Sequence, residues 1–124
     1  MENTLNQQTE KEISDRVQII SMLYDGACNF TKIARKKMEV GDSTGRSHYI
    51  KKTSAIIKEL SGSLAMDSGE IAQNLRRLYD FVIRSLVTAE TENDLKALSD
   101  AEKVIEILRD AWREMQGTGS NYSV

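Results

Sequence analysis

A chain of 124 residues, 40% apolar and 29% charged, is long enough for one domain with its own core and too apolar for wholesale disorder. Its net charge of −2, with both signs interspersed, gives no basic stripe for a nucleic-acid backbone. Its single cysteine, Cys28, excludes an intramolecular disulfide and a cysteine zinc site.

The polar N-terminus lacks a charged-then-apolar leader, and no apolar run approaches the roughly 20 residues that span a bilayer. A cytoplasmic protein without membrane insertion is therefore expected. Proline is absent, and Leu, Ile, Lys, Glu and Arg are abundant, which suits long uninterrupted helices. Residues 1–13 are polar and aperiodic and read as a flexible segment. From Ser14, with Ser14 or Asp15 as cap, Val17, Ile20, Leu23, Tyr24, Ala27, Phe30, Ile33, Ala34 and Met38 recur at helical steps. That helix ends near Val40, where Gly41 offers the left-handed conformation. The basic run Lys32 to Lys37 within it is followed by Glu39 and Asp42 and reads as a solvated face.

Asp42, Ser43 and Thr44 are capping types for a second helix, with a stripe of Tyr49, Ile50, Thr53, Ile56, Ile57, Leu60 and Leu64. A third is expected to open at Asp67, with Glu70 at capping-box distance, and to bury Ile71, Leu75, Leu78, Tyr79, Val82, Ile83 and Leu86. Asn93-Asp94 starts the fourth, whose Leu98, Ala101, Ile105, Leu108, Trp112 and Met115 alternate three- and four-residue steps. Gly117 is expected to end it, leaving 117–124 as a disordered tail. Short connections join antiparallel neighbours, so residues 14–116 are expected to form an all-α, up-down-up-down four-helix bundle.

Catalytic chemistry has little to stand on. The one histidine, His48, falls near a helix start without the Glu-x-x-His spacing of a di-iron bundle. Gly41 and Gly45 lack the Lys-Ser/Thr of a phosphate cradle, and no nucleophile elbow or dinucleotide fingerprint occurs. Cys28 reads as a small buried hydrophobe without a neighbouring base. Asn29-Phe30-Thr31 matches a glycosylation acceptor but lies mid-helix in a chain without a secretion signal. No catalytic, metal or cofactor residue is expected, and no enzyme.

Six fragments carry a resemblance. Met22-Leu23-Tyr24-Asp25-Gly26-Ala27 and Glu39-Val40-Gly41-Asp42 bracket the first helix. The run Leu64 to Leu75, containing Ser68-Gly69-Glu70-Ile71-Ala72, leads to Leu78-Tyr79-Asp80-Phe81, and Asn93-Asp94 precedes Leu108-Arg109-Asp110-Ala111-Trp112. In order and spacing these resemble the flagellar secretion chaperone family (FliS), over about residues 14–116. The resemblance implies a helical bundle that holds the disordered C-terminal segment of flagellin in the cytoplasm. It prevents premature polymerisation and delivers the subunit to the export apparatus. Some members also engage an export-gate component or an anti-sigma factor.

A segment that later forms a filament core exposes apolar surface as a monomer, and grooves between helices can cover it. The candidate partner-binding residues are Leu23, Tyr24, Ala27, Ile71, Asn74, Leu75, Leu78 and Tyr79, all within the quoted motifs. Core packing competes for Leu23, Leu78 and Trp112. Tyrosines at 24 and 79 suit a boundary with a wet hydroxyl, and Asn74 is the best polar candidate. The chain departs from the family at Glu12-Ile13-Ser14-Asp15-Arg16, where a tyrosine-and-glutamine stretch and a Thr-Ala-Ser-Pro-like entry are usual. The alternative is a structural or regulatory bundle acting through the seam of the fourth helix. A monomer is expected under the first reading and a dimer under the second.

Overall fold

In a computed structural model of the chain, backbone is described for residues 2–64 and 69–122, and side chains for 6–64 and 69–117. Four helices follow one another: α1 (Glu2–Glu39), α2 (Ser43–Gly62), α3 (Glu70–Glu92) and α4 (Leu95–Tyr122). There is no strand among the described residues.

The α1–α2 joint is set by three residues. Gly41 takes a φ of +75°, and Asp42 N–H donates to the Lys37 carbonyl at 2.8 Å while Gly41 N–H donates to Met38 at 3.2 Å. This paired closure satisfies carbonyls that the last turn of α1 leaves open. Asp42 then caps α2, its Oδ1 accepting from Gly45 N–H at 2.9 Å. A Cβ at Gly45 would lie 2.6 Å from Asp42 Oδ2, so the cap leaves no room for a side chain there.

The α3–α4 joint repeats the arrangement with other residues. Asn93 takes the left-handed conformation at φ 51° and closes α3, and Asp94 Oδ1 accepts from Ala97 N–H at 3.1 Å to open α4. Asp42→Ala and Asp94→Ala are each expected to cost about 1 kcal/mol, read as a lower urea midpoint with an unchanged slope.

Contacts between elements run antiparallel all round. Gly26 approaches Ile56 and Phe30 meets Tyr49, so α1 and α2 oppose one another. Arg35 pairs with Glu102 at 2.6 Å and Asp25 with Arg113 at 2.8 Å, so α1 and α4 do the same. Ser47 Oγ donates to Glu90 while Arg76 donates to the Leu64 carbonyl, which orients α2 against α3. Neighbouring pairs are α1–α2, α2–α3, α3–α4 and α4–α1, with no diagonal pair among the described residues. The result is the expected square bundle.

Ile50, Ile57, Val82, Leu86, Leu98, Ala101 and Ile105 are sealed along its axis. Thr31 and Thr53 are also fully buried, their hydroxyls donating to carbonyls of their own helices.

Several expected boundaries move. α1 starts at Glu2, so Ser14 and Asp15 lie inside the helix and cap nothing. The early residues include Glu, Gln, Leu and Lys, with neither glycine nor proline, so the backbone continues helically. Residues 6–16 are all exposed. α4 passes Gly117 and Gly119 and continues to Tyr122, because each glycine costs a helix only about 1 kcal/mol. Asp67 lies outside the described residues, and the N-cap of α3 is Gly69, with Glu70 as first helical residue.

The phase of α3 also corrects the expected core. Its inward seam is Ala72, Leu75, Tyr79, Val82, Leu86 and Ala89, alternating three- and four-residue steps. Ile71 and Leu78 fall one residue off that seam, about 100° around the helix. They are 78% and 41% exposed. Met115, 65% exposed, leaves the core in the same way beyond Trp112.

Candidate partner-binding site

The bundle is fully packed at its middle but open at the end where α2 meets α3. An apolar cavity of about 240 Å³ lies there, with walls from all four helices. From α1 come Ile20 and Tyr24, one turn apart, from the last turn of α2 comes Leu60, and just beyond that helix Ser63 and Leu64. From α3 come Ile71, Leu75 and Tyr79 at four-residue steps, and from α4 Leu108, Ala111, Trp112 and Met115. Among the described residues no charged side chain lines it.

Two depressions continue the cavity outward. Ile19, Ile20, Leu23 and Leu60 floor a groove of about 280 Å³ between α1 and α2, with Arg16 and Glu59 at its edges. Leu64, Ile71, Ala72 and Leu75 line a depression of about 540 Å³ beside the start of α3. Exposed apolar area of this kind marks sites for other macromolecules.

Two polar features stand in the apolar wall. The hydroxyls of Tyr24 and Tyr79 are 2.6 Å apart in a buried hydrogen bond that joins the diagonal helices α1 and α3. Burial pushes the pKa of Tyr24 up, a shift partly offset by its bond to Tyr79. Burial also raises that of Tyr79, and its bond to Tyr24 raises it further. Both phenols are therefore held neutral. The second feature is Trp112, whose indole N–H is buried without a hydrogen-bond partner among the described residues.

The structure gathers half of the sequence candidates here. Tyr24, Ile71, Leu75 and Tyr79 line the cavity, and Leu23 lines the adjoining groove. The expectation of wet tyrosine hydroxyls is corrected, because the two rings cross the core and bond each other. Ala27 is fully buried among the helices and offers no surface. Leu78 and Asn74 face outward on α3 away from the cavity, with Asn74 Oδ1 accepting from Arg77 at 3.2 Å. Trp112 and Met115 were expected in the core, yet both line the cavity. Their position on the last turn of the α4 stripe, past the reach of the α3 seam, was the available signal.

Outside this end little chemistry gathers. Cys28 is buried, and burial raises its thiol pKa more than the positive charge of Arg109 lowers it. His48 is exposed and packs edge-on against Tyr49, with ring centroids 4.9 Å apart. No cluster of three or more His, Cys, Asp or Glu residues suited to a metal occurs among the described residues. No helix among them is long and apolar enough to cross a membrane.

Residues 1–119 match the family model described as "Flagellar protein FliS". The chain is 35% identical over 105 residues to the flagellar secretion chaperone FliS of Salmonella typhimurium strain LT2, covering 83% of this chain and 78% of that protein. It is 32% identical over 109 residues to the protein of the same name in Campylobacter jejuni, covering 87% and 85%. With that of Bacillus subtilis strain 168 it shares 29% over 111 residues, covering 90% and 83%. A four-helix bundle with an open apolar end, a family match over residues 1–119 and relatives matched over most of their length together make this chain a member of the FliS family of flagellar proteins.

Proposed function

We propose that this chain is a cytoplasmic export chaperone. It binds the disordered C-terminal segment of flagellin, prevents premature polymerisation and delivers the subunit to the flagellar export apparatus. The observation that carries this reading is the uncharged apolar cavity at the α2–α3 end, continued by grooves on both sides. An amphipathic segment waiting to enter a filament needs such cover, and a rod with open inter-helix channels supplies it. Coupled folding on binding costs ordering entropy, which keeps the complex reversible enough for handover. An export-gate component and an anti-sigma factor are further partners consistent with membership of the family.

The competing reading, a structural bundle acting through the seam of α4, loses its motive. Leu98, Ala101 and Ile105 of that seam are 0% exposed inside this chain's own core. A free monomer is the corresponding proposal, and light scattering tests it.

Calorimetric titration with the C-terminal segment of flagellin from the same genome is expected to give a one-to-one complex with a negative heat-capacity change. Absence of binding at high micromolar concentration would count decisively against the chaperone reading.

A further inference from the structure

A polar hydrogen sealed inside a protein needs an acceptor, because its lost hydration is otherwise uncompensated. The end cavity contains more donors than it uses. Trp112 lines it, and its indole N–H is buried without an acceptor among the described residues. Tyr24 and Tyr79 line it too, and the single bond between their hydroxyls consumes one of two phenolic protons. Neither tyrosine makes another hydrogen bond among the described residues. Ser63 is already spent, its hydroxyl donating to the Leu60 carbonyl at 2.7 Å.

The charge of the wall restricts what the missing acceptor can be. With no cation lining the cavity among the described residues, an incoming carboxylate would lose its hydration without gaining a counter-charge. A neutral carbonyl has no such penalty. Main-chain carbonyls are free wherever a helix ends, since its last four have no partner within the helix.

Resting on the chaperone reading above, we infer that Trp112 is a partner-anchoring residue. Its indole N–H donates to a main-chain carbonyl at the end of a helix in the bound flagellin segment. In the free chain the nitrogen is shielded while the side chain as a whole is only half-buried, so the indole changes orientation as the guest enters. The unpaired N–H makes the empty state less favourable than it could be. Pairing it on binding adds to affinity and sets the depth to which the guest's helix inserts.

Trp112 is the only tryptophan in the chain, so biosynthetic replacement of tryptophan by benzothienylalanine alters this residue alone. That analogue keeps the bicyclic shape and puts sulfur where the N–H was, leaving packing nearly intact. Titrated with the flagellin C-terminal segment, the substituted chain is expected to bind about fivefold to tenfold more weakly than the native chain. Its unfolding midpoint in the free state is expected not to fall, because the orphaned donor has gone. Binding within about twofold of native overturns the role of Trp112 and leaves the chaperone reading standing. Failure of the native chain to bind the segment removes the chaperone reading and this inference with it.

Discussion

With Ile71 and Met115 both replaced by glutamate, the chain is expected to fold normally and to bind the flagellin C-terminal segment at least about a hundredfold more weakly. The two side chains are 78% and 65% exposed, so the substitutions remove little that the free bundle buries. Surface changes of this sort stay within about 0.5 kcal/mol of native stability. The complex is different, because both residues line the open end cavity. Covering each by a guest contributes about 1.5–3 kcal/mol, and 1.4 kcal/mol is tenfold in affinity. A carboxylate in the same place also resists desolvation, which adds to the loss.

Calorimetry measures the affinity, and circular dichroism with a urea titration verifies the fold. Val40→Glu is the control. Val40 is 76% exposed but sits beside the α1–α2 joint, at the opposite end of the bundle from the cavity. It is expected to bind as the native chain does. Equal losses for Val40→Glu and the double variant would mean that charge, not occupation of this cavity, controls binding.

That prediction depends on a distinction between core and surface that hydrophobicity alone does not draw. Ile71 and Leu78 are as apolar as Leu75 and Val82, and both sets recur at helical intervals. One set faces the interior of the bundle and the other faces outward, a difference of one residue in phase that packing decides. The bundle itself was legible because α4 has a strict three-four seam, and the joints because Gly41 and the aspartates 42 and 94 take their expected roles, whereas Asn93, expected with Asp94 to start α4, instead closes α3 in the left-handed conformation. The first turns of α1 were not, since a polar helix without a buried face has no periodic signature. Nor was the junction of Tyr24 with Tyr79. They are separated by 55 residues and lie on diagonal helices, so only the assembled square brings them together.

That junction sets up the other large effect. Tyr24→Phe or Tyr79→Phe alone is expected to destabilise the free chain by about 1–3 kcal/mol, because the surviving hydroxyl is left buried without its partner. The double variant is expected to lose much less than the two losses combined. Replacing both polar groups with apolar rings of similar shape removes the hydrogen bond and the need for it together. A coupling energy of about 1–3 kcal/mol between the sites, from urea unfolding of all four proteins, is the signature. Additive losses would show that ring packing, not the bond, links α1 to α3.

Alkali amplifies the contrast. Both phenols titrate above their ordinary value in the folded chain, chiefly through burial. An acid whose folded pKa is raised contributes stability at pH values below its unfolded pKa. That stability is lost as pH rises through the unfolded value of about 10, because the unfolded chain releases protons that the folded chain retains. Each phenol held neutral then costs about 1.4 kcal/mol per further pH unit. By about pH 11 the native chain is expected to have lost more than about 1.4 kcal/mol relative to the double phenylalanine variant, which has nothing to ionise at these positions. The two proteins differ only in these two hydroxyls, so the difference isolates the pair. Parallel stability curves from neutral pH to about pH 11 would mean that the two hydroxyls reach water and that α1 and α3 are not joined through them.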